Sequence, residues 1–195
     1  MGRLILTTPT IYLVRHATPD WSRTDIRYDI PPGPPLTAQG EAEAARLGEF
    51  LQTVNAHKVY FSPLERTLRT AQIAAEIAKL PVFEAEAIAE WRRGESEQDL
   101  LARLLPFWDQ VTEESQQHGP LVVVSHGGPV RVMLQHLKLE QAEIDFYRKQ
   151  FDRDNPVPPA GAWQATRSRF DDRWRLELAF TPQPHQAYVR PLVYV

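Results

Sequence analysis

Short, almost entirely apolar runs constrain the fold of this chain more than any other feature of its sequence. Thr10–Val14 and Leu121–Val124 are typical of strands that are covered on both faces. Lys58–Phe61 is a third strand candidate, and the segments between the three carry apolar residues at helical spacing. Strands that alternate with helices predict a largely parallel sheet with helices on both faces.

Helix start signals place two elements in the first half of the chain. Thr37 is a suitable N-cap for a helix over residues 38–54. The sequence Ser62-Pro63-Leu64-Glu65 predicts a second helix, with Ser62 as its N-cap and Pro63 at its first helical position. Glu65 would complete a capping box with Ser62. A short strand over residues 81–83 is expected after that helix.

The second half of the chain shows a different pattern near its end. Ser96 begins a further helix, which Pro106 should kink or split. Helices are expected over residues 130–138 and 140–151. Apolar and polar residues then alternate over Trp174–Phe180, which predicts a half-exposed strand. A turn at Asp171-Asp172 would make it part of an antiparallel hairpin at the edge of the sheet.

Composition bounds the class of protein. The 195 residues suit a single domain over 1–195, with a proline-containing extended tail from residue 181 to 195. The chain has no cysteine, which excludes disulfides, thiolate metal sites and a cysteine nucleophile. A net charge of −3 gives no nucleic-acid signal, and no apolar run reaches the ~20 residues of a membrane span. We therefore expect a soluble cytoplasmic protein that binds neither nucleic acid nor membrane.

Chemistry-bearing residues lie where the predicted strands end. Arg15 and His16 follow the first strand, His126 follows the Leu121–Val124 strand, and Arg66 lies in the first turn of the helix between them. In open α/β sheets, ligands bind beyond the carboxyl ends of the strands. Two arginines and two histidines at that edge would form a phosphate cradle, because guanidinium groups match phosphate oxygens.

Further residues complete this predicted phosphate site. Gly127 and Gly128, at a helix N-terminus, would let backbone N–H groups approach an anion. Thr18, two residues after His16, is a second candidate for binding the substrate. Trp21 and Trp91 either line the substrate entrance or are simply buried.

The same residues suggest a reaction. A neutral His16 ring is a good nucleophile, and its attack on phosphorus would give a phosphohistidine. The leaving oxygen then needs a proton, and Glu90 is the candidate general acid. Its apolar neighbour Trp91 would raise the pKa of the carboxyl. Another carboxylate of residues 86–97, such as Glu95, stays open as the proton donor.

Five segments in this order resemble motifs of one protein family. That family is the histidine phosphatase superfamily, also called phosphoglycerate mutase-like. The similar segments end the first strand, open the first helix, open the second helix, carry the candidate acid, and follow the Leu121–Val124 strand: Leu13–Ala17, Pro35–Gly40, Ser62–Ala71, Glu90–Gly94 and Val124–Gly128. Beyond residue 140 the resemblance is thin.

The resemblance implies a three-layer α/β/α sandwich and phosphoryl transfer through a phosphohistidine. It implies His16 as the nucleophile and Glu90 as the proton donor. It also implies that Arg15, Arg66 and His126 bind the transferring group. The expected activity is a phosphatase that acts on a small phosphorylated substrate and needs no metal and no cofactor.

Other functions remain as alternatives. A phosphoglycerate mutase-type phosphotransferase uses the same core residues, although such enzymes typically carry longer insertions over the site. An inactive module that binds a phosphorylated ligand on the same fold is a further alternative. A metal hydrolase is disfavoured, since the sequence has no His-x-His and no H-E-x-x-H spacing.

The end of the chain, Tyr188–Val195, is apolar enough to need a partner surface. We expect it to pack as an extended segment on this chain or on a second copy, which would make a homodimer.

Overall fold

The computed structural model describes residues 7–151 and 155–183. The first four of its six strands alternate with helices, and the last two follow each other directly. The strands are β1 (Thr10–Arg15), β2 (Lys58–Phe61), β3 (Val82–Glu84), β4 (Leu121–Ser125), β5 (Ala162–Arg167) and β6 (Trp174–Phe180). The helices are α1 (Ala38–Thr53), α2 (Glu65–Ala78), α3 (Glu97–His118), α4 (Gly127–His136) and α5 (Gln141–Gln150). A short 3₁₀ turn covers Glu86–Ile88.

The six strands form one mixed sheet in the order β3-β2-β4-β1-β5-β6. The four strands from β3 to β1 are parallel, whereas β5 runs antiparallel to β1 and to β6. The predicted mostly parallel sheet with a C-terminal antiparallel hairpin is therefore confirmed. The turn at Asp171-Asp172 and the half-exposed pattern of β6 are as expected.

Two hydrophobic clusters cover the two faces of the sheet. Alternate residues of β1 serve different clusters: Ile11 and Leu13 pack with α3, α4 and α5, whereas Tyr12 and Val14 pack with α1 and α2. Helices on both faces make the predicted three-layer α/β/α sandwich, and they explain why the residues before the last one in β4, and Ile11–Val14 of β1, are nearly all apolar.

Two predicted helix boundaries are wrong for physical reasons. Helix α2 begins at Glu65 with Leu64 as its N-cap, and no side chain caps it. The Glu65 N–H donates instead to the Pro32 carbonyl oxygen (2.7 Å), and the Ser62 hydroxyl bonds His126. Helix α4 begins at Gly127 rather than at residue 130.

Helix α3 is not split at Pro106. It runs unbroken from Glu97 to His118 and starts with a capping box between Ser96 and Asp99. Along this helix Leu100, Leu104 and other apolar side chains are buried against the sheet, and burial of that face stabilises the helix more than propensity does.

Two further predictions concern a membrane span and the end of the chain. No helix among the described residues is long and apolar enough to cross a membrane. The predicted packing of Tyr188–Val195, and with it the homodimer through the tail, lies outside the described residues. Shortly before that segment, Arg46 Nη1 donates a hydrogen bond to the Pro182 carbonyl oxygen (2.8 Å).

The start of α1 fits closely against the loop that follows β1. Gly40 is buried there, and a Cβ on it would overlap the carbonyl oxygen of Thr18. That carbonyl already accepts hydrogen bonds from the N–H and the hydroxyl of Thr37 (3.0 and 3.2 Å). The loop therefore has no room to retreat without losing these contacts.

We predict that Gly40→Ala lowers the free energy of unfolding by about 1–3 kcal/mol, the usual cost of overpacking. Helix propensity alone would make the alanine variant about 1 kcal/mol more stable. A loss of stability would therefore be due to overpacking. Denaturant unfolding measures the change. The control Ala42→Gly, exposed on the same helix, should lose about 1 kcal/mol from propensity alone. A Gly40→Ala variant more stable than the parent would contradict the close fit.

Candidate active site

Two buried histidines lie side by side at the carboxyl edge of the sheet. Strands β1 and β4 pair in parallel with Arg15 opposite Ser125, so the next residue of each strand falls at the same level. These residues are His16 and His126, which are 1% and 0% exposed. Their ring centroids are 5.3 Å apart. The strand register thus brings together two residues that are far apart in the sequence.

The His16 ring is held in one tautomer. Its Nδ1 lies 2.8 Å from the backbone carbonyl oxygen of Ala17. A carbonyl oxygen only accepts hydrogen bonds, so Nδ1 carries the proton and the neutral ring has its lone pair on Nε2. Nε2 faces the hydroxyl of Tyr28 at 3.1 Å.

Both predicted arginines are buried beside the histidines. Arg66 lies in the first turn of α2 and is 0% exposed, and its Nη2 is 3.5 Å from Glu90 Oε2. Its Nε has no hydrogen-bond partner in the described part of the chain. Arg15 is also buried, with Nη1 donating to the Val157 carbonyl oxygen (3.1 Å). The charge of Arg15 lowers the pKa of both Glu90 and His126, so it acts on the same site.

Glu90 lies close to both Arg66 and His126. Its Oε2 is 3.5 Å from both Arg66 Nη2 and His126 Nδ1, and its Oε1 accepts from the Trp91 N–H at 2.9 Å. Burial raises the pKa of the Glu90 carboxyl, and the Trp91 N–H and the charge of Arg66 oppose that effect. The carboxyl therefore stays protonated to a higher pH than an exposed glutamate, as a general acid requires.

His126 is neutral at neutral pH. Burial lowers its pKa well below the usual value, and the charge of Arg66 lowers it further. Its Nε2 lies 2.7 Å from the Ser62 hydroxyl, while Nδ1 faces the site without a hydrogen bond to any described residue. We infer that the Ser62 hydroxyl donates to Nε2. The proton of the neutral ring then sits on Nδ1, where it can be donated to an anion.

Sequence reasoning missed this role of Ser62. It assigned the hydroxyl to the start of α2, and the true partner lies 64 residues further along the chain. The signal that could have found it is register: Ser62 follows Phe61, which pairs with Val124, so the serine lies next to the end of β4.

Arg103, also missed, holds the loop that carries Glu90. From α3 its guanidinium donates to the carbonyl oxygens of Ala87 (2.6 Å), Ala89 (2.9 Å) and Glu90 (3.1 Å). It also forms an ion pair with Glu95 (2.6 Å). One fixed arginine therefore sets the path of the backbone that presents the Glu90 carboxyl.

The same ion pair weakens the case for Glu95 as the alternative acid. Hydrogen bonding to Arg103 lowers the pKa of the Glu95 carboxyl. A lowered pKa keeps it ionised, whereas a general acid must carry a proton. Of the two carboxyls considered from the sequence, Glu90 has the environment of the acid.

Thr18 does not point its donor into the cradle. Its N–H and its hydroxyl both donate to the Glu43 carboxylate, at 2.8 and 2.9 Å. A hydroxyl has one proton, so this bond leaves none for a phosphate oxygen. In the structure Thr18 anchors the loop after His16 to α1, and its expected contact with substrate is not formed through the hydroxyl.

The two glycines after His126 have different neighbours. A Cβ on Gly127 would overlap the Asn155 side chain, so this position is small because Asn155 needs the space. A Cβ on Gly128 would lie 3.5 Å from Glu90 Oε1 and 3.4 Å from the Trp91 ring. Of the two, Gly128 borders the acid, and the binding of substrate by Gly127 stays a prediction.

The two tryptophans considered for the entrance both lie at the site. Trp21 stacks on Tyr28 with ring centroids 4.8 Å apart. Trp91 is held by a hydrogen bond from Nε1 to the Glu95 carbonyl oxygen (2.7 Å). Within residues 7–151 and 155–183, no group of three or more His, Cys, Asp or Glu side chains is placed to hold a metal ion.

Comparison with known families agrees with this geometry. The family model described as histidine phosphatase superfamily (branch 1) matches residues 11–98 and 84–156. The chain belongs to this superfamily. The match covers both histidines, both arginines and the acidic residue of the cluster.

Curated relatives of this superfamily member carry two kinds of name. An uncharacterized phosphatase, PhoE of Bacillus subtilis (strain 168), is 34% identical over 94 residues, 45% of this chain and 45% of that protein. A probable phosphoglycerate mutase, GpmB of Serratia proteamaculans (strain 568), is 34% identical over 100 residues, 51% of this chain and 46% of that protein. The alignments thus span less than half the length of these two relatives, and they support a phosphatase or a mutase.

Solved structures agree on the fold. A mycobacterial glucosyl-3-phosphoglycerate phosphatase has a TM-score of 0.67 at 21% identity, covering 87% of this chain and 97% of its own. A phosphoglycerate mutase from Bacillus anthracis has a TM-score of 0.70 at 16% identity, covering 90% and 94%. At these identities the likeness extends to architecture, and it does not distinguish between the two activities.

The role of Ser62 can be measured on the histidine it contacts. In Ser62→Ala, the ratio of the Nδ1–H to the Nε2–H tautomer of His126 should fall by about 2- to 10-fold, the equilibrium value of one net hydrogen bond. Imidazole ¹⁵N chemical shifts at pH 7 report this ratio. The control Ser115→Ala removes a buried serine that bonds Thr10 instead, and should leave the His126 shifts unchanged. An unchanged tautomer ratio in Ser62→Ala would show that the hydroxyl does not set the ring.

Proposed function

We propose that this protein is a phosphatase that hydrolyses a phosphate monoester through a phosphohistidine on His16. The observation that carries the proposal is the state of Nε2. A backbone carbonyl fixes the proton on Nδ1, so the nitrogen with the lone pair faces the site that the arginines surround. That is the arrangement a nucleophile at phosphorus needs.

In the first step, His16 Nε2 attacks phosphorus and a nitrogen–phosphorus bond forms while the bond to the leaving oxygen breaks. Arg15, Arg66 and the Nδ1–H of His126 stabilise the charge on the other phosphoryl oxygens. The protonated Glu90 carboxyl gives its proton to the leaving oxygen, which departs as an alcohol. Positioned cations thus supply the electrostatic stabilisation of the transferring group.

In the second step, a water molecule attacks the phosphorus of the phosphohistidine. Glu90, now a carboxylate, takes a proton from this water, and the electron pair of the nitrogen–phosphorus bond returns to His16. Inorganic phosphate leaves, and both side chains recover their starting states. The roles of Glu90 as acid and then as base need only one carboxyl beside the reacting oxygen.

The mutase alternative rests on relatives named as mutases. It shares the first step and differs in the second, where a hydroxyl of a second substrate replaces water. The loop between the 3₁₀ turn and α3 is short here, from Ala89 to Ser96, and adds no domain over the site. This compactness favours water as the acceptor.

We predict that wild-type protein mixed with a ³²P-labelled aryl phosphate and quenched in alkali carries label on His16. The phosphoenzyme should be alkali-stable and acid-labile, since it holds a nitrogen–phosphorus bond. Reactions run in EDTA should give the same result, because side-chain cations supply the charge. His16→Ala should show no labelling and only a trace of turnover.

The matched control is His136→Ala, which removes a histidine at the end of α4 and should be labelled normally. Turnover that persists in His16→Ala would mean direct attack by water and would overturn the covalent route. Release of labelled phosphate supports the phosphatase, whereas transfer of the label to an added phosphoglycerate would support the mutase. Binding without turnover would leave the inactive module.

For the acid role we predict that Glu90→Gln loses about 10²- to 10⁴-fold in kcat/KM on alkyl phosphates. Aryl phosphates with good leaving groups should lose far less, since they need no proton. The raised pKa of Glu90 sets the sign of the pH dependence. With alkyl phosphates, kcat/KM should fall as the pH rises through that pKa, and Glu90→Gln should abolish this decline.

Glu86→Gln, which removes an exposed carboxylate that pairs with Arg92, should behave as the parent in this comparison. Equal losses on alkyl and aryl substrates in Glu90→Gln would move the acid role to another carboxyl.

A further inference from the structure

Tyr28 occupies the position that a phosphoryl group must take. It lies in the long loop between β1 and α1 and is half-buried. Its hydroxyl oxygen is 3.1 Å from His16 Nε2. Since Nδ1 carries the ring proton, the Tyr28 O–H donates to the Nε2 lone pair, which is the lone pair that would attack phosphorus.

This contact and the reaction exclude each other. A nucleophile and the atom it attacks must approach to about 3–3.5 Å along the lone pair. The Tyr28 oxygen already lies at that distance on that nitrogen. Phosphorus can reach His16 only after Tyr28 has moved away.

Tyr28 also engages Arg66, the deepest cation of the site. The guanidinium carbon lies 3.8 Å from the centroid of the Tyr28 ring, within the range of a cation–π contact. Arg66 Nη1 donates to the Tyr28 carbonyl oxygen at 2.9 Å. One residue thus contacts both the nucleophile and an arginine that the phosphoryl group needs, so an oxyanion competes with Tyr28 at both.

The loop that carries Tyr28 is fixed at its base by backbone contacts. At its base the Asp20 N–H donates to the Pro35 carbonyl oxygen (2.8 Å), and Pro19 forms a bridge with Leu36. Above that base, the contacts of Tyr28 with His16 and Arg66 and the Pro32–Glu65 bond tie the loop to the body. Trp21 stacks on Tyr28 and would change its surroundings when Tyr28 moves.

We propose that Tyr28 is the gate of the active site: it covers His16 and Arg66 when the site is empty, and the oxyanion of a phosphate monoester displaces it. The identity of this ligand rests on the proposed function. The gate itself rests on the two contacts of Tyr28 and is testable with inorganic phosphate alone, without turnover.

Closure of the gate weakens the apparent affinity for the oxyanion, because part of the protein is held in a state that cannot bind. Tyr28→Phe keeps the ring on Arg66 and removes the hydroxyl, with its bond to His16 and its interaction with Arg66. Loss of one hydrogen bond should shift the gate toward the open state by about 2- to 10-fold. Phosphate should therefore bind Tyr28→Phe about 2- to 10-fold more tightly than the parent.

Isothermal titration of inorganic phosphate into the parent, Tyr28→Phe and Tyr12→Phe tests this inference. Tyr12 is a matched control, since its hydroxyl bonds Gln164 and packs in the core, and its variant should bind as the parent. Tighter binding by Tyr28→Phe alone supports the gate. Equal or weaker binding by Tyr28→Phe, or no binding to any of the three, overturns it.

Tryptophan emission gives an independent measurement of the motion. Phosphate should change the emission of the parent, and Trp21→Phe should lose most of that change. A change that survives fully in Trp21→Phe would show that the loop stays closed and would overturn the gate. The phosphoenzyme experiment judges the proposed function separately: a gate that opens for phosphate without labelling of His16 would refute the covalent reaction and leave the gate standing.

Discussion

Burial of positive charge at the carboxyl edge of the sheet is the constraint on which the rest of the structure depends. Arg15 and Arg66 are almost fully enclosed, and Glu90 is the carboxyl near Arg66, at 3.5 Å. Enclosing an ion costs several kcal/mol unless it is well paired. His126 stays neutral, because burial and, to a smaller extent, the charge of Arg66 lower its pKa. The cluster is therefore short of negative charge, and a phosphoryl group with several oxygens is the ligand that would complete it.

A site of this kind needs a rigid frame, since each cation must face the anion and not solvent. The order β2-β4-β1 places the ends of three parallel strands next to each other, so three separate segments deliver their side chains at one level. Glu90 comes from a loop, which lacks the hydrogen bonds that hold neighbouring strands together. Arg103 of α3 holds the loop instead, by donating hydrogen bonds to three of its carbonyl groups and to Glu95.

The sequence predicted the sheet, and it predicted that Arg15, His16 and His126 meet at one edge of it, because both depend on local pattern. Apolar runs specify buried strands, and a histidine or arginine at the end of such a run has few other places to go. The prediction failed where one hydroxyl had two possible hydrogen-bond partners. Ser62 could cap α2 or bond His126, and Thr18 could reach the site or bond Glu43; the partners lie 64 and 25 residues away. Tyr28 gave no signal, because a loop has no periodicity to mark the residue that turns inward.

The pKa values of Glu90 and His126 both depend on the charges of the buried arginines, and a bound anion would change both. Burial and the charges of the arginines lower the pKa of His126, and the arginines limit the rise that burial gives the pKa of Glu90. A phosphoryl group beside them brings negative charge within a few ångströms of Glu90, and a like charge makes ionisation of a carboxyl harder. In the proposed reaction, substrate binding would therefore favour the protonated form of the acid at the moment when the leaving oxygen needs it. Once the alcohol had left, the Glu90 carboxylate would remain next to Arg66, whose charge would stabilise it until water gave up its proton. The same buried arginines would thus both bind the anion and set the protonation of the group that completes the reaction.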